Sequence, residues 1–143
     1  MGNSIVIKKG AKIMKKYELT SDFIEIEGRN LYRIKALKAF GDIAVGDLGG
    51  YIESEENLCH GGTCWVYHDA KVYDSAEVFD RAKVCGRAKA YGKARVFDSA
   101  EIYDSAEIYD SAKVYGSAQV FGSTEVFGSA IVSGGAVLRT LNR

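Results

Sequence analysis

The chain has 143 residues, enough for one domain with a buried core, and its 19 basic side chains balance its 19 acidic ones. This balance excludes a global field that would draw the protein to nucleic acid or to an anionic membrane, so direct nucleic-acid binding is not expected. Without a run of eighteen apolar residues or a secretory leader, and with three cysteines that cannot all pair internally, we expect a soluble, cytoplasmic protein that enters no membrane.

Residues 14–65 divide into two predicted parts. Residues 14–41 are predicted to form an N-terminal β-hairpin cap, with strand-like runs at 17–19, 23–26 and 31–37 and a turn at 27–30. Residues 42–65 are predicted to form an irregular first coil between this cap and the rest of the chain.

From residue 66 onward the sequence repeats every six residues. An aliphatic side chain opens eleven of the twelve units, Ala90 being the exception, and a small residue, nearly always Ala, follows four positions later. Gly or Asp stands two positions after the aliphatic residue in every unit except the first, which has His68. Gly and Asp are turn residues, so each unit is predicted to be one short strand followed by a corner.

Strands this short cannot bury an apolar face alone, so successive strands must wind into a coil filled by the Val and Ala positions. A period of six does not match an α-helix, and the two-residue corners lack the Asn-Gly type of signal that a hairpin meander needs. The sequence therefore predicts an all-β protein in which residues 66–143 form a parallel β-helix.

The pattern, exemplified by V-Y-D-S-A-E at residues 72–77, resembles that of the hexapeptide-repeat family. The resemblance implies a left-handed parallel β-helix of triangular cross-section, with eighteen residues per coil. Twelve units then give about four regular coils, a prism about 19 Å tall at the ~4.8 Å spacing of neighbouring strands.

Residues 15–65 also resemble the opening of small hexapeptide-repeat proteins of phages and prophages, from which no activity can be transferred. The matching segments are Tyr32-Arg33-Ile34, Gly46-Asp47-Leu48-Gly49-Gly50 and Cys64-Trp65-Val66. In this comparison the chain would begin at Met14, so the resemblance implies that residues 1–13 are a start-site extension or an expression remnant. Similar hexapeptide-repeat proteins are commonly trimers, so the resemblance favours a homotrimer.

The position after each aliphatic residue is aromatic in ten of twelve units, and residues eighteen apart are expected to stack into three outward columns. The longest unbroken column is predicted to be the binding surface: Tyr73, Tyr91, Tyr109 and Phe127. Such rings can simply brace the sheet. Three apolar stripes nevertheless exceed what monomers usually expose, so we expect at least one to be an interface, with a second copy favoured over a host protein.

Charge is also sorted along the repeat, with bases between residues 81 and 95 followed by an acidic band. The band is a second candidate binding surface: Asp98, Glu101, Asp104, Glu107 and Asp110. The eighteen-residue offset places Lys83 beside Glu101 and Lys89 beside Glu107, which favours ion pairing between coils. The alternative is a phage inhibitor that mimics a phosphate backbone and occupies a host defence nucleoprotein.

Enzymes of the hexapeptide-repeat family are mostly acyltransferases that, by resemblance, use acyl-CoA and a histidine base near a loop that interrupts the coils. Here the repeat is unbroken, and His68 is only a weak candidate for such a base. The Cys59–Cys64 segment lacks the paired C-x-x-C spacing of a zinc site, so neither a metal nor a cofactor is expected. The preferred hypothesis is a non-catalytic binding or assembly scaffold, and an acyltransferase is the alternative.

Overall fold

The computed structural model describes residues 5–8 and 11–140. Its strands, in chain order, are β1 (Ile5–Lys8), β2 (Ala11–Met14), β3 (Tyr17–Ile26), β4 (Arg29–Ala36), β5 (Leu48–Ile52), β6 (Trp65–Val66), β7 (Lys71–Val72), β8 (Glu77–Val78), β9 (Lys83–Val84), β10 (Lys89–Ala90), β11 (Arg95–Val96), β12 (Glu101–Ile102), β13 (Glu107–Ile108), β14 (Lys113–Val114), β15 (Gln119–Phe121), β16 (Glu125–Val126), β17 (Ile131–Val132) and β18 (Val137–Arg139). One 3₁₀ turn, Glu55–Asn57, lies between β5 and β6.

The strands from β5 onward form three parallel sheets, which are the faces of a prism. The first face contains β5, β7, β10, β13 and β16, the second β8, β11, β14 and β17, and the third β6, β9, β12, β15 and β18. From β6 onward, paired residues along each face are eighteen apart, as in Ala90 with Ile108, whereas β5 of the irregular coil pairs Ile52 with Val72. The predicted all-β fold is thereby confirmed: the chain is a parallel β-solenoid of about five turns with an antiparallel hairpin at its N-terminal end.

The interior of the solenoid is filled by the aliphatic and alanine positions of the repeat. Each strand alternates an outward residue with an inward one, so every unit buries the residue at its aliphatic position, and up to Ala118 it also buries the alanine that precedes the strand. Nearer the C-terminal end this second position is less covered, since Thr124 and Ala136 are partly exposed and Ala130 is exposed. Ile102, for example, is fully buried and lies in register between Val84 and Val120. A single continuous core therefore runs along the axis.

The corners explain why Asp and Gly share one position in the repeat. Residues there adopt a left-handed backbone conformation, with φ of 57° to 61° at Asp98, Asp104 and Asp110. Each of these carboxylates accepts a hydrogen bond from a backbone N–H in the corner of the next coil, at 2.9 to 3.0 Å. Glycine adopts the same backbone conformation without strain, and a Cβ on Gly92 would make a tight contact of 2.9 Å with the backbone nitrogen of Asp110. Asp80 nevertheless occupies the corner beneath Asp98, so both residue types fit below an Asp.

The N-terminal hairpin extends one face of the prism. Strand β3 joins two predicted strand runs through a bulge between Leu19 and Phe23, and it pairs with β4. Strand β4 in turn pairs antiparallel with β5, so the first face becomes a seven-stranded sheet. Tyr17, Ile34 and Ala36 from this hairpin are buried in the main core, where they cover its N-terminal end.

Strands β1 and β2 form a separate antiparallel pair that ends at Met14, one residue beyond the segment 1–13 interpreted as an extension. That segment lies partly outside the described residues. In the described part of the chain, no helix has the length and apolar character needed to cross a membrane.

Candidate functional site

The outward aromatic side chains stack from coil to coil, as the eighteen-residue offset predicts. In the first column, on the first face, ring centroids are 5.1 Å apart between Tyr73 and Tyr91, 5.0 Å between Tyr91 and Tyr109, and 5.5 Å between Tyr109 and Phe127. The second column, on the second face, contains Phe79, Phe97 and Tyr115 at 4.8 Å spacing. The third, on the third face, contains Tyr67, Cys85, Tyr103 and Phe121.

The two ends of the first column differ in their surroundings. At the lower end, which is the N-terminal end of the prism, Tyr73 is only 4% exposed because it packs with Leu31 and Tyr51. Ile24 and Ile26 of the hairpin pack against the same group, as does Tyr91. At the upper end Phe127 is 54% exposed. The column is therefore a covered apolar surface at one end and an open one at the other.

Hydrogen bonds fix the orientation of the tyrosines in this column. The Tyr91 hydroxyl donates to Glu107 at 3.0 Å, and the Tyr109 hydroxyl donates to Glu125 at 2.9 Å. Burial raises the pKa of Tyr91, and the hydrogen bond to the carboxylate raises it further. Both phenols therefore remain neutral donors at physiological pH, and their rings are held in the stack.

The acidic band is divided between corners and strands. Asp98, Asp104 and Asp110 occupy corners, where one oxygen of each carboxylate is engaged by the next coil. Glu101 and Glu107 lie on β12 and β13 in register with Lys83 and Lys89, as predicted. The expected ion pairs do not form among the described residues, and Glu107 instead accepts the hydrogen bond of the Tyr91 hydroxyl. The band thus encircles one coil, and its corner carboxylates also stabilise the stacking of coils.

His68 occupies a corner with φ of 58°, where most units have Asp or Gly. The backbone N–H of Gly86 donates to its Nδ1 at 3.3 Å, the same contact that the corner aspartates make. Its side chain therefore has a structural partner in the next coil.

A buried polar cluster that the sequence analysis did not predict lies in the irregular first coil. The Lys16 side chain is fully buried, and its Nζ donates to the Cys64 carbonyl at 2.7 Å and lies 3.4 Å from the Cys64 Sγ. The backbone N–H of Lys16 donates to Nδ1 of His60, whose Nε2 is 2.8 Å from Glu55. The His60 ring stacks on Tyr17 at 4.1 Å.

This cluster connects the hairpin to the irregular coil through the hydrogen bonds of Lys16, and burial shifts the pKa values of its side chains. Burial lowers the pKa of Lys16 and raises the pKa of the Cys64 thiol. Burial also lowers the pKa of His60, against the raising effect of its hydrogen bond to Glu55. Because Nδ1 of His60 accepts a backbone hydrogen bond, the neutral imidazole with its proton on Nε2 fits the site.

Among the described residues, no group of three or more His, Cys, Asp or Glu side chains is arranged to hold a metal ion. Cys64 is buried, as its spacing before Val66 predicts, whereas Cys59 is exposed and Cys85 is partly buried. Burial raises the pKa of Cys85 to about 11.

No protein-family model matches this sequence, and neither does any curated protein. The solenoid, with coils about eighteen residues apart, is compatible with a β-helix repeat.

Proposed function

We propose that the protein is a non-catalytic binding and assembly scaffold that acts through the outer faces of its solenoid, and that it is a hexapeptide-repeat protein of the phage or prophage type. The observation that supports this proposal is the first aromatic column, with its covered lower end and open upper end. Sequence periodicity and the eighteen-residue register support the family, and the segments between residues 32 and 66 quoted above support the phage origin.

The chain itself provides an example of what binds to this column. Leu31 of the hairpin is buried in one cluster with Tyr73, and Ile24 and Ile26 of the hairpin pack against that cluster. Tyr109 and Phe127 continue the same stack above the hairpin. Large amphipathic rings held in fixed rotamers lose little conformational entropy on binding, so this upper part is well suited to an apolar partner surface.

A second copy of the chain is the partner that we favour, and a trimer is the favoured assembly. Closed homo-oligomers are the default for soluble assemblies. In a twofold dimer the same face meets itself, whereas in a trimer two different faces of each protomer meet. The three columns of this prism therefore allow the symmetry to be tested by substitution.

Three matched double variants test the proposal, each replacing two stacked rings by serine: Tyr109→Ser with Phe127→Ser, Phe97→Ser with Tyr115→Ser, and Tyr103→Ser with Phe121→Ser. All six positions face outward, so the core should stay intact, and an unchanged far-UV circular dichroism spectrum checks this. Mass is measured by light scattering over a range of concentrations.

The first variant should dissociate. A dimer through the first face should be unaffected by the other two variants, whereas a trimer should also be disrupted by one of them. A wild-type protein that is monomeric at high micromolar concentration would contradict self-association, as would an unchanged mass for the first variant.

A further inference from the structure

The three aromatic columns end differently at the N-terminal side of the prism. In the first column Tyr73 is covered by the hairpin, and in the third the hydroxyl of Tyr67 donates to Asp42 at 2.9 Å in the loop before β5. The second column ends at Phe79, whose only stacked ring among the described residues is Phe97. One side of the Phe79 ring is thus left without an aromatic neighbour.

Backbone pairing shows which residue occupies the next position below Phe79. Leu58 bridges in parallel to Val78, and the backbone N–H of Cys59 donates to the Val78 carbonyl at 3.0 Å. Cys59 is therefore the outward residue of this column one coil below. A thiol is much smaller than a phenyl ring, so a gap remains where the other coils have an aromatic side chain.

This gap is part of a surface cavity of about 330 Å³, a volume in the range of small-molecule sites. Its lining residues are Glu56, Cys59, Glu77, Val78, Phe79 and Arg95. Val78 and Phe79 contribute apolar surface, and Glu56 belongs to the 3₁₀ turn.

The charges around the cavity favour a cation. Arg95 pairs with Glu77 at 3.2 Å, and its guanidinium carbon lies 5.5 Å from the Phe79 ring centroid. Glu56 makes no ion pair among the described residues, which leaves one carboxylate in excess at the rim. A positive charge near Glu56 would also be attracted by the π-face of Phe79.

We propose that this cavity binds a small planar aromatic cation, whose ring stacks beneath Phe79 and takes the place that Cys59 leaves open. The ring would continue the 4.8 Å spacing of Phe79 and Phe97, and the positive group would face Glu56, whose carboxylate makes no ion pair among the described residues. This site lies at the N-terminal end of the second face, whereas the assembly proposal is based on the first column.

Three probes of similar size separate the elements of this recognition: benzamidine, a flat cation; benzoate, a flat anion; and cyclohexanecarboxamidine, a cation without an aromatic ring. Binding is measured by titrating isotope-labelled protein and following the amide signals of Cys59 and Phe79 by NMR. Benzamidine should bind roughly tenfold more tightly than benzoate, because of the charge. It should also bind about threefold more tightly than the saturated cation, because of the ring.

Two variants test the site directly. Cys59→Phe fills the gap with a ring and should abolish benzamidine binding, while a preserved far-UV spectrum shows that the fold is intact. Glu56→Gln retains the cavity and should reduce the preference for benzamidine over benzoate. Equal affinities for the three probes, or wild-type benzamidine affinity in a folded Cys59→Phe variant, would overturn the proposal.

Discussion

Replacing Ile102 by alanine tests the inward packing of the repeat most directly. Ile102 is fully buried in the middle of the third face, between Val84 and Val120. Three buried carbon groups are lost, which costs about 2.4 kcal/mol at ~0.8 kcal/mol for each. A cavity of about 80 Å³ that does not collapse adds up to about 2 kcal/mol. The free energy of unfolding should therefore fall by about 2.4 to 4.4 kcal/mol.

Ile131 provides a matched control because it is also an isoleucine on a strand of the solenoid, but it is 61% exposed. Ile131→Ala should change the free energy of unfolding by no more than about 0.5 kcal/mol. Both variants are compared with the wild type by urea denaturation, monitored by circular dichroism, with the slope of the transition checked for constancy. Equal losses for the two variants would refute the assignment of inward and outward positions.

Two further predictions concern the corners and the polar cluster. Asp104 has φ of 61°, and its carboxylate accepts a hydrogen bond from the Gly122 N–H at 3.0 Å. Asp104→Asn should keep the free energy of unfolding within about 0.5 kcal/mol of the wild type. Asp104→Ala should lower it by about 1 to 2 kcal/mol, because the hydrogen bond is lost and alanine is strained in a left-handed backbone. Equal stability of the two variants in urea would contradict this role. His60 has a lowered pKa in the folded state, so the unfolded chain binds its proton more readily, and stability should decrease as the pH falls below about 6.5. His60→Asn offers an oxygen in place of Nδ1 and should reduce this loss of stability between about pH 6.5 and 5, measured by thermal unfolding. An unchanged dependence of the melting temperature on pH would show that another group is responsible.

The solenoid could be predicted from the sequence because each hexad specifies the same local structure. A buried aliphatic residue, a corner that tolerates a left-handed backbone and a buried alanine recur at fixed spacing, and eighteen-residue stacking then determines the partners of every strand. The aromatic columns and the register of Lys83 with Glu101 follow from the same offset.

The features that the sequence did not predict depend on non-periodic segments. Lys16 is fully buried, although lysine is ordinarily exposed, because carbonyls of the irregular coil accept hydrogen bonds from its Nζ. The pairing of β4 with β5, which extends one face, depends on how the chain turns between residues 36 and 48. The exposed cavity above Cys59 arises because this coil lacks the aromatic residue that the hexads supply.

The geometry of the corners also limits how the length of such a chain can change during evolution. Adding or removing one hexad leaves every later aliphatic side chain in the interior, but it rotates all subsequent residues by one face of the prism. The core would tolerate this change. The aromatic rings beyond the site of insertion, however, would stack on the rings of a different column. Only changes of eighteen residues preserve both the interior and the identity of each face. Insertion of a whole coil therefore lengthens an existing surface, whereas insertion of a single hexad moves all later outward residues to a different face.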